Sequence, residues 1–139
     1  MIKEIDLVDA KSFYDLGLQV DCKFLSRYII DDIFKDQNQF IYGYYERNKL
    51  IGFIHGIKSF EQIDIVNIVV DKKSRCQGVG TTLITYLVKK YDDLEAINLE
   101  VKVNNLAVKF YLDNGFEIIR KLNRYYEDCD GYFMKKVIK

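Results

Sequence analysis

Between positions 75 and 81 the chain reads Arg-Cys-Gln-Gly-Val-Gly-Thr, after a strand-like apolar run, Ile65 to Val70, and before a strongly periodic stretch from about Val79 to Tyr91. Two glycines without a Cβ let successive backbone N–H groups turn inward at a helix N-terminus, where unpaired first-turn amides and the positive end of the dipole coincide. A chain with this feature has to place a strand, a tight turn and a helix in that order. The turn is then a cradle for phosphate, and the expected guest carries a pyrophosphate.

Spacing separates this cradle from its rivals. A dinucleotide fingerprint needs Gly-x-Gly-x-x-Gly, but Leu83 stands three residues after Gly80, and no acidic residue closes a second strand at the required interval. A nucleoside-triphosphate loop needs Gly-Lys-Ser/Thr, and this chain reads Gly80-Thr81-Thr82. A cofactor held by backbone amides, such as coenzyme A, makes no demand for a lysine there. Arg75 is the one side-chain cation within the turn, and its planar fork suits a phosphate. The N–H groups of Gln77, Gly78, Val79, Gly80 and Thr81 would do most of the holding, with Cys76 a small residue whose amide is what matters.

The rest of the chain limits what surrounds the cradle. With 139 residues it suits one domain, spanning 1–139. Its 21 basic and 21 acidic side chains balance, so bulk charge offers no handle on nucleic acid or an anionic membrane. The N-terminus lacks an apolar signal core and no apolar run approaches a membrane span, which points to a soluble, cytoplasmic protein. The three cysteines, Cys22, Cys76 and Cys129, are widely spaced, and His55 is the only histidine. Free thiols are therefore expected, with no disulfide and no metal site.

Apolar spacing predicts a short first strand, then helices over Ala10–Gln19 and Phe24–Phe34. Gln39–Tyr45 and Leu50–Ile57 flank the polar Glu46–Lys49 and read as a β-hairpin, with Phe60–Val70 a third strand long enough for a bulge. The helix from Val79 collects Val79, Leu83, Ile84, Leu87, Val88 and Tyr91 on one face. A strand over Ile97–Val103, a helix and two further strands complete the order. A meander followed by a strand-helix-strand unit implies an α/β (α+β) mixed sheet with helices on both faces.

The order Asp71-x-x-x-Arg75-x-x-Gly78-x-Gly80 resembles motif A of the GNAT superfamily of acyl-CoA-dependent N-acyltransferases. Asn104-x-x-Ala107-x-x-x-Tyr111-x-x-x-Gly115-Phe116 is similar to the family's motif B. Glu100 within Leu-Glu-Val, Asn67–Asp71 and Asn123-Arg-Tyr-Tyr126 look most like the bacterial ribosomal-protein N-terminal alanine acetyltransferases. The resemblance implies a central, mostly antiparallel sheet of about seven strands, acetyl-CoA as cosubstrate, and direct acetyl transfer to a primary amine. A protein N-terminus is the implied acceptor. A small amine (polyamine, amino acid or antibiotic) is the rival, and a coenzyme A sensor without turnover is the reading from another class. Homodimers are common in the family, although no exposed apolar stripe in this sequence argues for one.

The resemblance also gives roles to residues that have plainer readings. Ile68, Val69 and Val70 would lend backbone groups to the pantetheine arm, while by pattern they are a buried strand. Asn104 or Asn105 caps the following helix by residue type, and the resemblance adds a cofactor contact at Asn104. Tyr111 lies at core spacing, yet its family position is that of the acid that protonates the departing thiolate. Glu100 points to the opposite sheet face from Ile97, Leu99, Val101 and Val103, usually a solvated one, and the resemblance makes it the general base. Glu61 and Asp64 are competing carboxylates. Tyr125 and Tyr126, edge packing by position, would wall the acceptor slot. His55, between Ile54 and Gly56 in a strand, reads as a satisfied structural imidazole.

Overall fold

The structure is a computed structural model that describes residues 1–139. Seven strands, β1 (Ile2–Glu4), β2 (Gln39–Glu46), β3 (Lys49–Ser59), β4 (Gln62–Val70), β5 (Ala96–Lys102), β6 (Glu117–Leu122) and β7 (Gly131–Val137), form one sheet in the order β1-β2-β3-β4-β5-β7-β6. The ladder between β4 and β5 is parallel, and those joining β1 to β2, β2 to β3, β5 to β7 and β6 to β7 are antiparallel. The helices are α1 (Ala10–Leu18), α2 (Phe24–Arg27), α3 (Ile30–Lys35), α4 (Val79–Lys90) and α5 (Ala107–Asp113). The mixed, mostly antiparallel sheet expected from the sequence is present. The chain resolves into two compact units, residues 1–58 with 66–92 and residues 59–65 with 93–139.

In the first unit, Arg47 and Asn48 both adopt left-handed conformations, φ 52° and 63°, and so close the β2–β3 hairpin with a tight turn matched to strand twist. The core is aromatic. Phe13 lies 5.1 Å from Phe24 and 4.7 Å from Phe53 between ring centroids, and a methyl on Gly17 would overlap the Phe24 ring. The single helix expected over Phe24–Phe34 is two helices, because Tyr28 and Ile29 are extended. A distant group stabilises the break: the Tyr14 hydroxyl accepts from the Ile30 amide at 3.0 Å. Asp31 and Asp32 then sit in the first turn of α3, where the dipole favours negative charge. On α4, Val79, Gly80, Leu83, Ile84 and Leu87 are buried, following the predicted face.

In the second unit the parallel ladder comprises Gln62, Ile63 and Asp64 against Ala96, Ile97 and Asn98. Strand β5 is paired along its whole length with β7, from Ala96 opposite Val137 to Lys102 opposite Gly131. Ile63, Ile65, Leu94, Ala96, Ile97, Leu99, Val101, Tyr111, Phe116 and Met134 are its buried hydrophobic side chains. Gly115, at φ 88°, turns the chain out of α5, and the Phe116 amide returns to the Tyr111 carbonyl at 3.0 Å.

Candidate active site

The approach to the cradle is tied down before the cradle begins. The Asp71 amide donates to the Ile51 carbonyl at 2.8 Å, and the Asp71 side chain caps the short 3-10 turn Lys72–Ser74 through the Lys73 amide at 3.3 Å. Gln19, at the end of α1, braces both sides of this turn: its amide donates to Asp71 at 3.5 Å and its oxygen accepts from the Lys72 amide at 3.1 Å. Gly52 on β3 allows the close packing beneath, since a Cβ there would stand 3.0 Å from the Val69 carbonyl oxygen and 3.1 Å from a Val79 methyl.

Within the cradle, Cys76 and Gly78 are both left-handed, φ 63° and 84°. Alternation of hand over a few residues gathers N–H groups to one side, the concave arrangement that binds anions. Gly78 is the N-cap of α4, and its carbonyl accepts from the Thr82 amide at 2.9 Å and the Thr82 hydroxyl at 2.8 Å. The amides of Val79, Gly80 and Thr81 come before that first helical bond and have no intrahelical acceptor. A Cβ built on Gly78 meets nothing within 4 Å, so open space lies in front of the turn. These features fit a pyrophosphate. Arg75 is exposed, and its Nε donates to the Val70 carbonyl at 3.1 Å, so one edge of the guanidinium ties the end of β4.

The second unit collects side chains instead. Glu100 is exposed on β5, and the nearness of its carboxylate raises the Tyr125 pKa. The Tyr126 ring stands 5.1 Å from Tyr125 at 89°. Tyr111 is 7% exposed, edge-on to Phe110 and Phe116. Burial, reinforced by Tyr126, pushes its phenol up to about 12. Four residues singled out in the sequence, Glu100, Tyr111, Tyr125 and Tyr126, thus fall in this one unit. The two asparagines have different partners: Asn105 accepts from the Ala107 amide at 2.8 Å at the start of α5, and Asn104 accepts from the Cys129 thiol at 3.7 Å.

The sequence matches the Acetyltransferase (GNAT) family over residues 7–116. This chain belongs to the GNAT acetyltransferase family. It is similar to an uncharacterised N-acetyltransferase of Methanocaldococcus jannaschii, with 34% identity over 84 residues, which is 58% of this chain and 54% of the relative. The chain therefore matches about half the length of that curated relative. In structure it resembles the ribosomal-protein-S18-alanine N-acetyltransferase of Escherichia coli, with a TM-score of 0.81 and 20% identity, covering 100% of this chain and 94% of the other. It likewise resembles the PaiA N-acetyltransferase of Thermoplasma acidophilum, solved with coenzyme A, with a TM-score of 0.81 and 17% identity over 99% and 98% of the two chains. At these identities the likeness is one of fold.

On the GNAT fold the remaining candidates separate. Val69 is buried, and Ile68 and Val70 are half-buried, at the end of β4. Glu61 is in the turn before β4 and not on the strand, its carbonyl accepting from the Glu95 amide at 2.7 Å. Asp64 accepts from the amide of Asn98 at 3.3 Å. His55 is 2% exposed, and burial lowers its pKa to about 4. Its Nε2 meets Gln39 at 2.7 Å, but Nδ1 has no partner, so the imidazole is structural and only half satisfied. All three cysteines are free thiols. No group of three or more His, Cys, Asp or Glu is arranged to hold a metal ion, and no helix is long and apolar enough to cross a membrane. Gln19 and Gly52 shape the cradle, and Gly131 the seat of the tyrosine pair, without having been singled out. A glycine inside a β-branched strand, as at Gly52, signals close backbone approach, whereas the role of Gln19 has no local signal.

Proposed function

We propose that this chain, as a single acetyltransferase domain, transfers an acetyl group from acetyl-CoA to a primary amine by direct attack, with a protein N-terminal α-amine as acceptor. The observation that carries the reading is the open, left-handed turn at the head of α4, whose first-turn amides have no intrahelical acceptor. Gln77, Gly78, Val79, Gly80 and Thr81 hold the pyrophosphate by their N–H groups, Cys76 contributes backbone only, and the outer nitrogens of Arg75 add charge. Ile68, Val69 and Val70 offer main-chain groups to the pantetheine arm, and Asn104 a side-chain contact. Bound acetyl-CoA supplies an activated thioester carbonyl and a good leaving group.

Glu100 is the group that accepts the proton from the incoming amine. It is solvent-exposed, so the task asked of it must be small. Deprotonating a lysine at neutral pH costs roughly 4–5 kcal/mol, whereas an α-ammonium with pKa near ~7.8 costs about 1 kcal/mol. The α-amine therefore matches the base better than a lysine side chain does. Asp64, engaged with Asn98, and Glu61, in its turn, are weaker candidates. Tyr111, at about 12, faces a leaving thiol near ~8.5, so full proton transfer is uphill by about 5 kcal/mol. Its contribution is a hydrogen bond to the sulfur as charge develops, with solvent completing the protonation. Tyr125 and Tyr126 border the acceptor.

Release of free thiol from acetyl-CoA tests this directly, with a panel holding an alanine-first peptide, its N-blocked twin, a lysine-containing peptide, a polyamine and an aminoglycoside. Thiol release with the free-terminus peptide and not with its blocked twin is expected. Turnover of the polyamine or aminoglycoside in preference would assign a small-molecule acceptor. Tight binding with no thiol released from any amine would make the chain a coenzyme A sensor.

A further inference from the structure

Where β5 runs out into the turn before α5, consecutive residues are each tied to the loop between β6 and β7. Lys102 Nζ meets both carboxylate oxygens of Asp128, at 3.0 and 3.1 Å. The Val103 amide donates to the Asp130 carbonyl at 3.1 Å, and the Asn104 side-chain oxygen accepts from the Cys129 thiol at 3.7 Å. The loop also has fastenings of its own. Arg124, left-handed at φ 51°, donates its amide to the Asp130 carboxylate at 2.7 Å, and Lys121 meets the other oxygen of that carboxylate at 3.4 Å. The Tyr126 amide donates to the Cys129 carbonyl at 3.1 Å. The half-buried Cys129 is therefore fixed through its own main chain, whereas Asn104 is exposed.

We propose that Cys129 is a positioning residue for Asn104, its thiol holding the carboxamide oxygen so that the NH2 end stays turned to acetyl-CoA. This deepens the reading of Asn104 as a cofactor contact and rests on it for its functional meaning, though the hydrogen bond stands independently. Asn105 spends its side-chain oxygen on the Ala107 amide of its own helix, but the Asn104 oxygen reaches across to another loop. A carboxamide carries its acceptor and its two donors at opposite ends of one planar group, so fixing the oxygen fixes the NH2 as well. An exposed side chain otherwise samples several rotamers. A thiol is a weak donor, yet the ties of Lys102 to Asp128 and of Val103 to Asp130 already hold the two loops together. The thiol then has only one side chain left to order. The same loop carries Tyr125 and Tyr126, so the residues that border the acceptor and the one that orients the cofactor contact share one anchored segment.

The test follows the Asn104 side-chain NH2 by nitrogen-edited NMR in the full chain, assigned with Asn104→Ala, beside calorimetric titration of acetyl-CoA. In Cys129→Ala the Asn104 NH2 signals should move and report a more mobile side chain, and the acetyl-CoA Kd should rise about threefold. Cys129→Ser, which puts a hydroxyl donor in place of the thiol, should recover most of both. Asn104→Ala should weaken binding by at least as much, and adding Cys129→Ala to it should weaken binding no further, because the two residues act as one unit. A purely structural role for Cys129 would instead give the same loss with and without Asn104, which overturns the proposal. So does an Asn104 NH2 that is unmoved in Cys129→Ala. If Asn104→Ala binds acetyl-CoA as the wild type does, the reading of Asn104 as a cofactor contact fails, and the NH2 signals still decide whether the thiol holds it.

Discussion

At the head of α4 the polar groups are main-chain amides, placed by two left-handed residues, whereas in the second unit the candidates are side chains, exposed Glu100 and Tyr125, half-buried Tyr126 and buried Tyr111, placed by packing. The difference teaches how each tolerates change. A cradle of amides is indifferent to most side chains at its own positions and depends on dihedral angles and on what braces the turn from below, Gln19, Asp71 and Gly52. A cluster of side chains depends on chemical identity at each position and on the small residue, Gly131, that lets them meet.

The largest expected effect is on the side-chain half. Glu100→Gln keeps shape and removes the proposed proton acceptor, so kcat/KM should fall by roughly 10²–10³, while the acetyl-CoA Kd, read by calorimetry, stays at the wild-type value. A fall in cofactor affinity of similar size would dissolve the contrast between the halves.

Next in size is an effect of pH that belongs to neither half. His55 is held neutral by burial, with its pKa lowered to about 4 against 6.5 in an unfolded chain. The unfolded state therefore binds the proton first. This part of the stability is complete above pH 6.5 and is lost as pH falls toward 4. Between pH 7.5 and 5 the loss should be about 2 kcal/mol, read as a falling Tm. His55→Gln should flatten that part of the curve, and an undiminished slope would place the acid sensitivity elsewhere.

Gly78→Ala examines the backbone half. At φ 84° with open space around the Cβ, the added methyl clashes with nothing and acts only through the left-handed conformation, at about 1–2 kcal/mol. The turn should relax to escape that cost, so that the amides turn away and acetyl-CoA binding weakens about tenfold. Smallest of all should be Cys76→Ser, which keeps the backbone and changes the side chain. Its acetyl-CoA Kd and kcat should stay within about twofold of wild type, because the thiolate plays no part; a large loss of kcat would make Cys76 chemical after all.

These two halves were not equally legible in the sequence. The cradle could be read because glycine spacing between a strand and an amphipathic helix is a local pattern, and so could α4, the β2–β3 hairpin and the mixed sheet. The break of the helix expected over Phe24–Phe34 was hidden, since the group that stabilises it, the Tyr14 hydroxyl, comes from another helix. The partnership of His55 with Gln39, and its unpartnered Nδ1, lies across a strand pair. Glu100, Tyr111, Tyr125 and Tyr126 could each be named from family resemblance, but the close seating of the Tyr125 and Tyr126 rings depends on Gly131, whose effect exists only once β7 pairs with β5.

The central claim is that backbone amides at the head of α4 bind the cofactor while side chains of the second unit do the chemistry. Calorimetric titration of acetyl-CoA into the wild type, Gly78→Ala and Glu100→Gln tests it most directly. The account predicts wild-type affinity in Glu100→Gln and a loss of about tenfold in Gly78→Ala. No binding by the wild type, or undiminished affinity in Gly78→Ala, would contradict it.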